Sequence, residues 1–241
     1  MRTWWREITG LVLPGACGGC GMPRTQLCPV CAGALYGAGA RRARPVPEPG
    51  GLPVVHAAAA YTDAVRAVLL AHKERGARGL AGPLGTALAG AVRAATPGSA
   101  HSGGPLLLVP VPSARRAVRA RGHDAGRRIA LAAAAELRRT GTSARVLPVL
   151  RQRRAVADQS GLTARQRVAN LSGALEVRAG GERLLAGGRA VLVDDLMTTG
   201  ASLVEAARAL SAAMRSGLHG FVRPSAAVVA VPALSFEINR N

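Results

Sequence analysis

The sequence predicts an α/β domain with a mostly parallel sheet flanked by helices, preceded by a small cysteine-rich segment. From about residue 54 the chain alternates short apolar runs with longer stretches of helical periodicity, a pattern typical of a parallel sheet covered by helices. Several apolar runs are continuous, as strands buried on both faces require. All four cysteines lie between residues 17 and 31, in a segment too short to bury a core of its own.

Composition sets the limits within which these elements must fold. The chain has 241 residues, of which 49% are hydrophobic and only 2% aromatic, so the core must be built from Ala, Val and Leu. The formal net charge is +19, and nearly all of it is arginine because Lys73 is the only lysine. Two interpretations stay open: a GC-rich genome, or an anionic partner such as phosphate or nucleic acid.

Membrane insertion is not expected. No stretch reaches the roughly 18 apolar residues that span a bilayer. The N-terminus lacks a clean signal peptide, because Arg6 and Glu7 interrupt its apolar residues. We therefore expect a cytoplasmic protein without a membrane span.

The cysteines form two CxxC pairs separated by seven residues, and glycines beside them permit tight turns. This spacing favours a structural zinc ion held by four thiolates, a site with no open position for catalysis. Disulfides are disfavoured in a reducing cytoplasm, and a redox CxxC needs one pair only. Iron also accepts four cysteines, so zinc is inferred from its frequency. The ligands are Cys17, Cys20, Cys28 and Cys31.

Domain boundaries follow from composition. Residues 1–36 are predicted to be a zinc-ribbon segment. Residues 37–53 are rich in Pro, Gly and Arg, which is typical of a linker. Residues 54–241 then form the main domain.

The first half of the main domain contains two helices and a strand. Val65, Val68 and Leu69 recur at helical spacing in AVRAVLLAHKERG. The run PLLLVPVP, residues 105–112, predicts a buried strand that enters a turn. AGRRIALAAAAELRR, residues 125–139, predicts the second helix.

The second half adds two strands around a helix. RAVLVDD, residues 189–195, predicts a central parallel strand, and AAVVAVPAL, residues 226–234, predicts a further one. Between them ASLVEAARALSAAMRSG predicts a helix that ends near Gly217. Its apolar face is formed by Leu203, Ala207, Leu210 and Met214.

Two adjacent acids follow the 189–195 strand, at the sheet edge where α/β proteins bind ligands. The next turn opens a helix, whose free N–H groups and dipole favour an anion. The predicted cradle for one phosphate consists of Thr198, Thr199, Gly200, Ala201 and Ser202. Asp194 and Asp195 cannot face that phosphate, but they can accept hydrogen bonds from neighbouring hydroxyls, such as those of a ribose 5-phosphate.

Other proteins with acidic strand ends can be weighed against this interpretation. A P-loop nucleotide hydrolase needs G-x-x-x-x-G-K-[ST], and Lys73 follows His72 rather than a glycine. A phosphoaspartate receiver needs a lysine on a later strand, and the chain has none.

VLVDDLMTTGASL, residues 191–203, resembles the thirteen-residue signature of type I phosphoribosyltransferases, which bind 5-phosphoribosyl-1-pyrophosphate (PRPP). The resemblance implies the fold of that family. It also implies that Asp194 and Asp195 contact the ribose hydroxyls and that the 198–202 turn binds the 5-phosphate. Mg²⁺ would accompany PRPP and bridge its pyrophosphate and ribose hydroxyls.

Three more blocks resemble the ComF competence proteins, a branch of that superfamily. They are LVLPGACGGCG…LCPVC, similar to its zinc ribbon, LLLVPVPSARRAVRARGHDAG, and DQSGLTARQRVANLSGAL. The branch usually reads RGFNQA where this chain has RGHDAG, residues 121–126. The resemblance implies a role in DNA uptake or in processing single-stranded DNA.

Arginines concentrate after the 105–112 strand, where Asp124 is the one acid among them. Guanidinium groups bind phosphate oxygens bidentately, so we expect some of them to hold the pyrophosphate. A solvated helix face is the alternative for any single arginine. The candidates are Arg115, Arg116, Arg119 and Arg121, with Lys73 as a further phosphate contact.

The segment 151–170 is polar, basic and weakly patterned. Long segments of this kind are often lids over active sites, and related transferases close a loop over PRPP. The predicted lid residues are Gln159, Arg167 and Asn170.

Two functions remain in competition. One is a phosphoribosyltransferase that acts on an acceptor the sequence does not specify. The other is a non-catalytic module that binds PRPP or single-stranded DNA. The scarcity of aromatic residues gives few platforms for stacking bases, so contacts with DNA would be arginine–phosphate contacts and strongly salt-dependent.

Overall fold

The computed structural model describes residues 15–98, 104–154, 156, 161, 163–215 and 224–236. Residues 1–14 of the predicted zinc-ribbon segment, and Gln159 of the predicted lid, lie outside these ranges. None of the helices in the described part of the chain is long and apolar enough to cross a membrane.

The main domain is built on a six-stranded sheet with the order β1-β2-β8-β7-β3-β4. Within the described ranges β1 alone runs antiparallel to its neighbour, which confirms the predicted mostly parallel sheet. Its strands are β1 Arg41–Ala43, β2 Val55–Ala60, β3 Leu106–Pro110, β4 Ala144–Val146, β7 Arg189–Leu196 and β8 Ser225–Val231. A separate antiparallel pair consists of β5 Leu150–Gln152 and β6 Leu175–Val177.

Helices flank the sheet, as the alternating pattern predicts. The helices at residues 63–74, 125–139 and 201–215 confirm the three that were predicted from apolar spacing. The described helices are α1 Pro29–Tyr36, α2 Asp63–Glu74, α3 Ala81–Ala95, α4 Arg115–Arg121, α5 Ala125–Arg139, α6 Ala164–Leu171, α7 Gly181–Leu185 and α8 Ala201–Arg215.

The core has one layer on each face of the sheet. Successive side chains of a strand point to opposite faces: Val191 packs with the layer that contains α2, α3 and α5, and Leu192 packs with the layer that contains α8. Helices α3 and α5 approach closely at Gly85, where a Cβ would clash with Ala132. Small residues therefore bring these helices together in a core that has few aromatic rings.

The predicted linker contributes to the sheet. Within residues 37–53, Arg41–Ala43 forms the edge strand β1, which pairs with β2. The Arg41 guanidinium lies 4.2 Å from the centre of the Phe236 ring, and Ala43 bridges to Phe236. Before it, α1 packs against α2, α3 and β2, so the cysteine-rich segment is docked on the main domain.

Candidate functional site

Asp194 and Asp195 lie near the carboxyl end of β7, which runs between β8 and β3 in the sheet. The buried run before them consists of Ala190, Val191, Leu192 and Val193. The predicted placement of two acids at the end of a buried parallel strand is therefore confirmed.

Asp195 is buried and forms an ion pair with Lys73 of α2. The Lys73 Nζ atom lies 2.9 Å from Oδ1 and 2.8 Å from Oδ2, so it bridges both carboxylate oxygens. Burial disfavours the charge on Lys73, but the Asp195 carboxylate outweighs burial and raises the lysine pKa. The lysine predicted to bind an anion thus stands in the site with its ammonium bound to Asp195.

Asp194 has a different environment from its neighbour. Its Oδ1 atom accepts a hydrogen bond of 2.9 Å from the Asp195 backbone N–H. Burial, followed by the charge of Asp195, raises the pKa of Asp194 to about 8, although Lys73 acts in the opposite direction. The surroundings of Asp194 thus favour its neutral form.

The predicted phosphate turn connects β7 to α8, which begins at Ala201. Gly200 has a φ of +78°, which L side chains rarely adopt, and a Cβ there would lie 2.8 Å from a methyl carbon of Leu52. Thr198 is exposed and Thr199 is half-buried. The helix start leaves backbone N–H groups beside the acids, the arrangement that favours an anion.

A cleft of about 1100 Å³, here called the main cleft, brings together the acid pair, Lys73 and part of the arginine set, but of the predicted phosphate turn only Ser202 lines it. It is lined by Lys73, Asp194, Asp195 and Ser202, and also by arginines of α4, the helix that follows β3. These arginines are Arg115, Arg116 and Arg121.

Two of the candidate arginines differ in their surroundings. The Nε atom of Arg121 lies 3.5 Å from a carboxylate oxygen of Glu74. Arg119 does not line the main cleft and instead lines a second, smaller cavity beside it. Asp124 of the RGHDAG stretch caps α5 by accepting the Arg127 backbone N–H at 3.1 Å, so it has a structural role.

The predicted lid lies between the antiparallel strands β5 and β6, and α6 forms part of it. Arg153, Arg154 and Val156 of this segment line the main cleft, so part of it faces the acid pair. Arg167 and Asn170 are half-buried but do not line the main cleft. The Asn170 carbonyl accepts a hydrogen bond from Arg154 at 2.8 Å, which places it in a supporting position.

Sequence reasoning missed Glu205, a buried carboxylate on α8. It accepts the Leu175 backbone N–H at 2.8 Å and binds Arg208 through two bonds of 2.7 and 2.8 Å. Arg208 in turn donates to the Leu175 carbonyl at 2.9 Å. This set ties α8 to β6, the strand that follows the predicted lid. The one available signal was an acid between apolar positions of a helix.

The four cysteines form a possible metal centre. Their sulfur atoms all lie within 4.8 Å of one another, and Cys20 Sγ lies 3.6 Å from Cys28 Sγ. That separation is far longer than a disulfide of about 2.05 Å. It is close to the edge of about 3.8 Å that a tetrahedron with metal–sulfur bonds of about 2.3 Å requires. The cluster is consistent with a structural metal such as zinc.

Backbone N–H groups prepare this cluster for a thiolate. Cys17 Sγ accepts from the N–H of Gly19 at 3.4 Å and of Cys28 at 3.3 Å. Burial opposes ionisation, but the backbone donors outweigh it and lower the pKa of Cys17 to about 6. Burial and the neighbouring thiols raise the pKa of Cys31. A cation bound by these sulfurs would displace the thiol protons, because the thiolate is the ligand.

Comparison of the sequence with protein-family models and with curated proteins finds no match for this chain.

Proposed function

We propose that this chain binds PRPP in the main cleft and is a phosphoribosyltransferase of the ComF type. One observation carries the proposal. An acid pair at the end of a parallel strand lies in a cleft lined by arginines, and a glycine turn and a helix start follow it at once in the chain. A ligand with vicinal hydroxyls between two anionic groups matches that order of charges.

The acid pair supports binding of the ribose hydroxyls. Asp194 makes one hydrogen bond within the described part of the chain, through Oδ1, which leaves Oδ2 to form a hydrogen bond with a ribose hydroxyl. Asp195 is paired with the Lys73 ammonium. Lys73 thus acts by fixing Asp195, and the pyrophosphate falls to the arginines of α4.

The two ends of PRPP differ in what they need. The 5-phosphate would accept N–H groups of the 198–202 turn and the hydroxyls of Thr198, Thr199 and Ser202. The pyrophosphate would lie against Arg115, Arg116 and Arg121, whose guanidinium groups bind phosphate oxygens bidentately. Acids and phosphates are thereby kept apart along the cleft.

Transfer would form a bond between the acceptor nucleophile and C1 as the bond from C1 to the pyrophosphate oxygen breaks. Mg²⁺ bound through oxygens of PRPP would neutralise charge on the departing pyrophosphate. The residues fit it, because the cleft offers carboxylate oxygens near the expected hydroxyls and no other cation is bound to Asp194 among the described residues. The protein contributes positioning and charge stabilisation.

We also infer that the four-cysteine cluster holds zinc as a structural ion. Four sulfur ligands leave no open coordination position, so the ion would stabilise residues 15–36 and take no part in transfer. Three of the four thiols are buried, which favours a closed site.

A second candidate is a non-catalytic accessory that binds PRPP or single-stranded DNA during DNA uptake. The observation in its favour is the formal charge of +19, which arginine provides almost alone. Binding to DNA through phosphates would weaken steeply as salt rises.

The test is a calorimetric titration of PRPP, in the presence of Mg²⁺, into the purified protein. Release of pyrophosphate is assayed in the same samples, with water, amines and nucleobases offered as acceptors. The variant is Asp194→Asn/Asp195→Asn, and the control is Asp63→Asn/Glu182→Gln, which removes two exposed negative charges at other helix starts. We expect binding in the wild type and control, loss in the variant, and release of pyrophosphate. Binding without release would favour the second candidate. Failure of the wild type to bind would refute the proposal.

A further inference from the structure

Beside the main cleft lies a second cavity of about 310 Å³, here called the arginine cavity. We propose that it binds a phosphate monoester and that this phosphate belongs to the acceptor of the transfer reaction. The acceptor interpretation rests on the proposed function, whereas the anion site itself does not. The cavity is lined by Arg115, Arg119, Arg127, Arg151 and Arg178.

The charge in this cavity is poorly balanced. Within the described part of the chain, no ion pair or side-chain hydrogen bond engages the guanidinium groups of Arg119, Arg127 or Arg178. Arg151 is bound to Glu176 at 2.8 Å. Like charges that converge without partners repel one another, so an anion that enters the cavity relieves the repulsion as it binds.

The one acid that lines the cavity is already engaged. Asp124 accepts the Ser113 hydroxyl at 3.3 Å and the Arg127 backbone N–H at 3.1 Å. Its position fixes the start of α5 and therefore the Arg127 side chain one turn into that helix. The arginines themselves come from α4, α5, β5 and the residue after β6. The fold, rather than one basic helix face, brings them together.

The position of the cavity indicates an acceptor. The arginine cavity and the main cleft share a wall formed by Val111, Pro112, Ser113, Arg115 and Gln152. A molecule anchored by a phosphate in the arginine cavity can therefore extend its other end toward a ligand in the main cleft. Group transfer requires this proximity between nucleophile and donor.

The chemistry of the lining defines the ligand class. Guanidinium forks match phosphate oxygens, and a phosphate monoester carries a charge near −2 at neutral pH. No aromatic side chain is among the lining residues of the described cavity, so it provides no platform for stacking a base. Recognition is expected to depend on the phosphate of a compact ligand.

In the reaction the acceptor nucleophile would bond to C1, pyrophosphate would leave with the bonding electrons, and the nucleophile's proton would pass to water.

The experiment titrates glycerol phosphate into the full chain with Mg²⁺ and saturating PRPP, with glycerol as the ligand that lacks the phosphate. The variant is Arg127→Gln/Arg178→Gln. The matched control is Arg183→Gln/Arg189→Gln, which removes two exposed charges before and at the start of β7, the opposite end of the strand from the acids. Circular dichroism checks that each variant is folded.

We expect glycerol phosphate to bind the wild type and the control, and glycerol to bind neither. The variant should bind at least about tenfold more weakly, because hydrogen bonds between charged groups are the stronger ones. Equal binding by variant and control would overturn the site. A short single-stranded oligonucleotide is titrated in parallel. If its binding falls in the variant while glycerol phosphate binds none of the forms, the proposal of a compact ligand is overturned in favour of nucleic acid.

The two proposals can fail separately. If the wild type does not bind PRPP but glycerol phosphate binding still falls in the variant, the anion site stands and its assignment to an acceptor is refuted. If PRPP binds equally well to all three forms and glycerol phosphate does not distinguish them, the proposed function survives without this site.

Discussion

Glu205 ties α8, the helix that follows the predicted phosphate turn, to β6, the strand that follows the predicted lid. Its carboxylate is buried and receives three hydrogen bonds, one from the Leu175 N–H and two from Arg208. Burial opposes ionisation of Glu205, but Arg208 and the Leu175 N–H outweigh it and lower the pKa of the carboxyl. Replacing this residue is expected to destabilise the domain in two distinguishable steps.

The first step is Glu205→Gln, which keeps an acceptor for the Leu175 N–H and removes the charge. Hydrogen bonds to charged groups contribute about 1.5–3 kcal/mol and neutral ones about 0.5–1.5 kcal/mol. Arg208 is 47% exposed and regains water when released, so its share is discounted. We expect Glu205→Gln to cost about 1–2 kcal/mol of unfolding free energy.

The second step is Glu205→Leu, which also leaves the buried Leu175 N–H without an acceptor. An unsatisfied buried donor costs about 1–3 kcal/mol, so the total should reach about 2–4 kcal/mol, reduced by the apolar contacts that leucine gains. Urea unfolding followed by circular dichroism measures both values. Arg208→Gln is the control, expected to cost less than Glu205→Leu because its side chain is half exposed.

The pH dependence tests the same reasoning. A carboxyl whose pKa is lowered by folding contributes stability above its unfolded pKa, and that contribution is lost as the pH falls through the folded pKa. The difference between wild type and Glu205→Gln should therefore shrink in acid. A Glu205→Leu variant within about 0.5 kcal/mol of the wild type at neutral pH, the scatter of ordinary surface substitutions, would refute the argument.

Two further predictions concern the metal cluster and Asp194. Elemental analysis should find one metal ion per chain. Cys28→Ser or a strong chelator should lower the melting temperature, because metal binding supplies folding free energy of about 10 kcal/mol or more in small zinc domains. An unchanged melting curve and no bound metal would contradict this prediction. Asp194 has a pKa raised to about 8, so the folded state binds its proton more tightly than the unfolded state, and its contribution to stability falls as the pH rises from about 4 to about 8. The unfolding free energy of Asp194→Asn, measured with urea at several pH values, should lack that decline. Its slope against pH should differ from that of the wild type by at most about 1.4 kcal/mol per pH unit. Parallel pH profiles for the two proteins would contradict the prediction.

Much of the fold could be predicted because the informative residues are local. Continuous apolar runs gave β3, β7 and β8, and apolar spacing gave α2, α5 and α8. The acids and the turn are adjacent in sequence, so their placement needs only the strand before them. The cysteines likewise lie close enough in the chain for their spacing to predict one cluster.

The remaining features depend on contacts between distant residues. Lys73 and Asp195 are 122 positions apart, and a lone lysine on a helix has no local signal that it will pair with an acid. The three-residue strand β1 lies in a run rich in proline and glycine and forms because β2 offers it an edge. Arg119 lies beside Arg121 in sequence, yet the turn of α4 sends it into the neighbouring cavity.

The adjacent acids divide their roles because a strand alternates its side chains. Asp195 shares its face with Val191 and Val193, which pack in the layer of α2, and there it meets Lys73. Asp194 shares the opposite face with Leu192, and within the described residues one of its oxygens has no cationic partner.

The neighbouring strand also gives the acids room. The last residue of β3, Pro110, pairs with Val193. The Val111 N–H then donates to the Val193 carbonyl at 2.9 Å. Pro112 has no N–H with which to continue the hydrogen bonding between the strands. Asp194 and Asp195 therefore extend past β3 into the space where the α4 arginines begin. One carboxylate fixed by lysine and one carboxyl left to bond hydroxyls, at the point where the adjacent strand ends, account for two acids side by side.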